Sequence, residues 1–290
     1  MVDTAVPKRF SLRASLRNAY ALILSSRVAT VGFSITLMWV LIAIFAPLLA
    51  PYDPLISNEA IMNQAPTPEH WLGTDTYGRD VLSRVIYGAR PVLLLAPISV
   101  LVSMTIGILM GLPAAYFRGK SDETIMRIVD VIMSFPVILI YMIVITVLGP
   151  SPLNIIIAVT IAGAPGIARL VRSLALDICT REYVAAAKVR GESSWYIMFM
   201  EILPNARGPL IIDGMLRVGY AIFAIGTLGF LGMGLRPPTP DWGSMVNEAR
   251  KVASYNPAAM IWPSLAIASL VIGLNLLADG LRESSMRYQQ

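Results

Sequence analysis

The sequence predicts an all-α, polytopic membrane helix bundle with about six transmembrane helices, and three observations predict it. Only 14% of the 290 residues are charged and 56% are hydrophobic, where soluble domains carry about 25% charged residues. Mean hydropathy is +0.67, and several apolar runs approach the ~20 residues a helix needs to cross the hydrocarbon. The basic residues, finally, are not scattered but collect in alternate segments between those runs.

The spans are read at 28–50, 92–116, 129–148, 153–167, 210–235 and 260–277. The fourth carries Gly163, Pro165 and Gly166 and is expected to be interrupted there, leaving backbone groups that need neighbours or a cavity. With the N-terminus inside, the inner segments hold 16 of the 23 Lys and Arg residues and the outer segments six, leaving Arg217 within a span. That bias places both termini in the cytoplasm. It also accounts for the pI near 9.4: the charge spreads along one membrane face, without the stacking aromatics of a nucleic-acid surface.

Residues 1–27 include RFSLRASLRNAYALILSSR, where basic and apolar residues interleave, and are expected to lie along the inner surface. A disordered tail is the alternative before Ser11. No cleavable leader is read, because PYDP follows the first apolar run without a small-residue cleavage site. Cys179 is the sole cysteine, and His70 the sole histidine, so neither a disulfide nor a multi-residue metal site is expected.

Two outer segments are long enough to fold locally. In 51–91, Asp75 or Thr76 is expected to cap a surface helix through Asp80, Leu82 and Val85. In 236–258, Asp241 is expected to cap a short helix. Asp75, Arg79, Asp80, Asp241 and Trp242 are the candidate contacts for an outer partner.

The longest inner segment contains EYVAAAKVRG at 182–191. Good helix formers run up to Gly191, a natural helix stop. Alanines 185, 186 and 187 lack bulk and would let another surface approach. Glu182, Lys188 and Arg190 supply orienting charge. A second helix, SSWYIMFMEIL, is expected to end before Pro204 and to anchor the element through Trp195, Ile197, Phe199 and Met200. The pattern fits a docking element for a cytoplasmic partner; an ordinary interfacial loop fits it too.

Glu182, Ala186, Gly191 and Ile202-Leu203-Pro204 resemble the signature of the membrane subunits of binding-protein-dependent ABC importers. HWLGTDTYGRDVLSRVIYGAR, GTLGFLGMGLRPPTPDWGSM and NLLADGLRE are similar to segments of the dipeptide/oligopeptide permease family, and the long first outer segment resembles its C-type subunit. The resemblance spans residues 25–283. Arg190 departs from it, standing where the family more often has an apolar residue. The resemblance implies a type I ABC importer permease fold in the bacterial cytoplasmic (inner) membrane. It implies a homologous second permease, two ATP-binding subunits and an extracytoplasmic solute-binding protein as partners. Glu182, Ala185, Ala186, Lys188, Gly191, Leu203 and Pro204 would then couple this chain to the ATPases.

No Walker A string is present, so ATP and Mg2+ are expected on the partner ATPases, with no cofactor, metal or catalytic residue here. Gly229, Gly232 and Gly234 are read as helix-packing positions inside a span, and Asn275 and Asp279 as packing or interfacial residues. Asp130 is expected to meet Arg127 or an interface. Asp213 and Arg217 share one helix face at i,i+4, either lining or gating a pathway or forming a structural pair. The cargo is expected to be a dipeptide or oligopeptide, with nickel or another small solute as alternatives. A secondary transporter or channel is the rival class; a membrane enzyme and a purely structural assembly subunit are weaker ones.

Overall fold

The computed structural model describes residues 26–254 and 256–287. The expected N-terminal surface segment therefore lies almost wholly outside the described residues. The cytoplasmic tail expected at 284–290 begins inside the last helix, which runs to Arg287.

Among the described residues, five helices are long and apolar enough to cross a membrane, or six if one sharply bent pair counts as a single span. The first span divides into α1 (Arg27–Ile44) and α2 (Ala46–Leu49). Ser26 caps α1 by accepting from the Ala29 amide. α1 lies against the last helix, α11 (Ala258–Arg287), through glycines on both sides. A methyl group at Gly32 would collide with the Leu277 amide nitrogen, and one at Gly280 would meet Ala29. Such contacts let backbones approach where no hydrophobic effect drives helices together.

The second span is longer than expected. Asp80, not Asp75 or Thr76, is the N-cap, and the expected surface helix and span form one helix, α3 (Val81–Phe117). Its 37 residues run ~55 Å. Pro91, Pro97 and Pro113 sit inside it, and neighbouring helices tolerate the local loss of donors.

The third span is broken. α4 (Gly119–Met133) and α5 (Val137–Leu148) meet at 85°, with Pro136 holding the extended backbone that precedes α5. The expected contact of Asp130 with Arg127 is replaced: Asp130 pairs with Arg169, while Arg127 pairs with Glu123.

The fourth span is continuous where the sequence predicts an interruption. α6 (Pro152–Ile178) passes through Gly163, Pro165 and Gly166 unbroken. It makes the most extensive helix contact in the molecule, against α3. A methyl at Gly107 would lie 2.6 Å from Ile167, and one at Gly111 would lie 2.5 Å from the Ala168 carbonyl oxygen.

After α6 come α7 (Glu182–Val189), a single turn α8 (Ser194–Tyr196), a π-helical segment Ile197–Ile202, and α9 (Leu203–Phe230). α9 stops at Phe230, so Gly232 and Gly234 lie beyond the span rather than inside it. Gly232 turns the chain at φ +79. Gly229 and Gly234 press against the Asp241 carboxylate, and a methyl at either would collide with it. Asp241 caps α10 (Trp242–Ala249), accepting from the Gly243 and Ser244 amides.

Buried apolar side chains form two cores. One, at the end carrying the long loops, joins Trp39, Val85, Ile155, Ile225, Trp242 and Leu270. The other, at the basic end, joins Leu112, Val171, Val184, Ile197, Met198 and Ile202. Met104 touches both.

Gly32→Leu tests the α1–α11 contact. Its side chain meets backbone, so the purified protein is expected to lose at least ~1–3 kcal/mol and to melt several degrees earlier in a fluorescence-detected thermal ramp. Gly208→Ala, where nothing lies within 4 Å, is the matched control and is expected to hold or slightly raise the melting temperature.

Candidate functional site

At the basic end α7 forms where expected. Glu182 stands in its first turn and Lys188 in its last, both complementing the helix dipole. Gly191, at φ +77, closes it: the Gly191 amide donates to the Lys188 carbonyl and the Glu192 amide to the Ala187 carbonyl. Val184 and Ala187 are fully buried against the lower core. Ala187 is therefore not available to a partner, which corrects the expectation for the third alanine. Glu182, Tyr183, Ala185, Ala186, Lys188 and Val189 remain exposed, Val189 at 89%. They form a small-residue surface with charges at its edge. Arg190 lies near Glu192 and Glu201, at 3.6 and 3.5 Å, so this departure from the family pattern is tied back onto the element itself.

The second piece does not end before Pro204. Its π turns lead directly into α9, with the Leu203 amide donating to the Met198 carbonyl. Pro204 occupies the first turn of α9, where a missing N–H is tolerated. The anchor differs as well. Ile197, Met198 and Ile202 are buried, whereas Trp195 and Met200 are exposed and Trp195 stacks on Phe199. Alongside, Asp122 accepts two hydrogen bonds from Arg172, joining α4 to α6.

Halfway along α9, Arg217 donates through Nε to Asp213, as the i,i+4 spacing predicts. Its Nη1 reaches the Gly163 carbonyl at 3.5 Å. Neither glycine breaks α6: a methyl at Gly166 would stand 3.4 Å from both terminal nitrogens of Arg217, and one at Gly163 would meet the Ser103 hydroxyl at 3.2 Å. Arg217 borders a cavity of about 440 Å³ between α3, α5, α6 and α9. Spacing in the sequence reveals the pair but not the cavity, because α5 enters its wall only through the 85° bend. Asn275 packs against Gly219.

At the loop end, the five residues expected to face a partner are buried, and each has an internal role. Asp80 caps α3 at the Ser83 amide and accepts from the Ser83 hydroxyl, with His70 Nδ1 2.9 Å away. Asp75 and Glu248 flank Arg79, each at 2.6 Å. Trp242 donates to the Val85 carbonyl at 2.8 Å and meets Trp39 edge to face. Asp241 has its pKa raised by burial, opposed by hydrogen bonds from Ser244, Gly243 and Leu235. These side chains shape the outer face from beneath. Trp71 (71% exposed), Ile56 and Tyr77 lie on its surface; the sequence motif around Trp71 marks the segment without showing which of its residues stands out. No cluster of His, Cys, Asp or Glu suited to a metal occurs among the described residues.

The fold, a bundle of apolar helices with a small-residue helix at its basic end, has a solved counterpart. A solved structure described as inward facing conformations of the MetNI methionine ABC transporter matches at a TM-score of 0.59 and 20% identity, over 70% of this chain and 97% of that one. The chain belongs to the family of binding-protein-dependent transport system inner membrane components, whose model matches residues 103–285. Residues 17–66 match the N-terminal TM domain of oligopeptide transport permease C.

Among its relatives, the dipeptide transport system permease protein DppC of Alkalihalophilus pseudofirmus is 38% identical, over 92% of this chain and 88% of that protein. The glutathione transport system permease protein GsiD of Pectobacterium atrosepticum is 39% identical, over 94% and 91%. DppC of Haemophilus influenzae is 37% identical, over 98% of each. The resemblance read from Glu182, Gly191 and Pro204 is thereby borne out at the level of family and fold.

The Asp75–Arg79–Glu248 cluster yields a stability prediction. Arg79→Met leaves Glu248 without its cation, while Asp75 keeps the buried Arg84 guanidinium 3.4 Å away, and is expected to cost ~3 kcal/mol or more, read as earlier thermal unfolding. Adding Glu248→Gln removes the uncompensated charge and is expected to restore part of that loss.

Proposed function

We propose that this chain is a permease subunit of an ATP-driven importer of dipeptides or oligopeptides, forming half of a translocation path. The observation that carries the reading is mechanical: the exposed alanine face of α7 continues, through buried Ile197, Met198 and Ile202, into the α9 helix that walls the mid-bundle cavity. Relatives named for dipeptide and glutathione transport support the cargo class.

The basic end faces the cytoplasm in this reading, both termini with it. One of two partner ATPases receives α7 in a cleft, where Ala185 and Ala186 allow close approach and Glu182 and Lys188 set orientation. Gly191 fixes the exit of the helix, and Leu203 and Pro204 begin the rod that moves with it. ATP and Mg2+ are held and used by those partners. A homologous second permease completes the path, and a solute-binding protein delivers cargo to the loop end. Asp75, Arg79, Asp80, Asp241 and Trp242 support that outer surface from within. Displacement of α7 tilts α9 and changes access to the cavity.

Glu182→Lys places a cation at the positive end of the α7 dipole and reverses the charge at the docking rim. Solute-stimulated ATP hydrolysis by the purified complex is expected to fall about tenfold, roughly 1.4 kcal/mol of lost coupling, with membrane yield of this subunit unchanged. Native stimulation and native ATPase recovery in that variant would overturn the assigned role of α7.

A further inference from the structure

The Arg217 guanidinium has more capacity than the fold uses. Nε is committed to Asp213, Nη1 only reaches the edge of hydrogen-bonding range at the Gly163 carbonyl, and Nη2 has no hydrogen-bond partner among the described residues. About a quarter of each side chain in the pair stays exposed. Arg217 lies 14 residues beyond Leu203 and 13 before Phe230, so the charge sits near the middle of a helix ~42 Å long. A charge at such depth faces a bundle interior or a water-filled path.

What it faces is the ~440 Å³ cavity, whose other walls are chiefly apolar, among them Val137, Ile138, Tyr141 and Phe223. Sites for small organic ligands combine such walls with a few placed polar groups and measure roughly 300–1,000 Å³. A planar guanidinium edge matches one chemical group best, a carboxylate.

We propose that the open edge of Arg217 is a carboxylate-recognition site within the translocation cavity, taking the α-carboxylate of a peptide while the apolar walls take its side chains. This inference rests on the peptide-importer reading. Asp213 gives the site its second property. By neutralising Arg217 it lowers the cost of the charge within the bundle, and it also weakens the hold on an arriving anion. A transport site must bind well enough to admit the solute and weakly enough to release it. Gly166 lies against the same guanidinium, where a methyl would already be in contact with both terminal nitrogens.

The test uses the whole complex in proteoliposomes, with the binding protein loaded beforehand with either a dipeptide free acid or its C-terminal amide and loading verified. The native complex is expected to take up the acid about tenfold faster than the amide, the scale of discrimination by a charge-assisted hydrogen bond. Asp213→Asn/Arg217→Gln removes both charges together, so no lone carboxylate is stranded. It is expected to bring the two rates within about twofold, chiefly by slowing the acid. An unchanged ratio in the double variant, an equal loss for both peptides, or failure of the variant to assemble would overturn the site and assign the pair to the fold. The native complex is an independent test, because equal uptake of acid and amide would overturn the site without any mutation. Uptake of neither peptide by the native complex would instead sink the peptide-importer reading itself.

Discussion

The close approach of α3 and α6 is the constraint on which the rest of the structure depends. Two long helices meet at Gly107 and Gly111 with Ile167, Ala168 and Val171 seated in the space where side chains would otherwise be. In a membrane that contact must come from packing, since lipid is as apolar as the helices themselves. Once α3 and α6 are fixed, α9 has one groove to occupy, with Gly214 admitting Met104. The loop-end core and the basic-end core then form on either side of that central contact.

The consequence is a molecule whose two ends are joined through one axis. At the basic end, α7 is held by buried Val184 and Ala187, which cover Ile197, Met198 and Ile202 at the foot of α9, and by Lys188 over the Tyr116 ring. At the loop end, α9 finishes against the Asp241 carboxylate, which also caps α10, and Trp242 of α10 bonds to α3. In the proposed reading, motion entering at α7 would have a stiff element to follow and an anchored element to pivot against. Between them lies the cavity, bordered by the bent α5, the least continuous of the apolar segments.

Much of this is legible in the residues. Hydropathy locates the spans, the alanine run ending at Gly191 locates α7, and Asp241 announces the cap of α10. The failures have physical reasons. Pro165 reads as a helix break by the rule for water, yet neighbouring helices tolerate it within a bundle. Pro136 does break its span, because its own backbone is extended. The charges at Asp75 and Arg79 read as an exposed surface because their third partner, Glu248, lies 169 residues from Arg79 in the chain. Spacing reveals the Asp213–Arg217 pair, but only the tertiary arrangement reveals that one edge of the guanidinium is left open.

Accumulation of a radiolabelled dipeptide inside proteoliposomes carrying the affinity-purified native complex tests the coupling of α7 to ATP-driven import most directly. The expected result is concentrative uptake that requires both the solute-binding protein and hydrolysable ATP, and that survives collapse of the proton and sodium gradients. Uptake that proceeds without ATP, or that disappears when those gradients are dissipated while ATP is present, would contradict it.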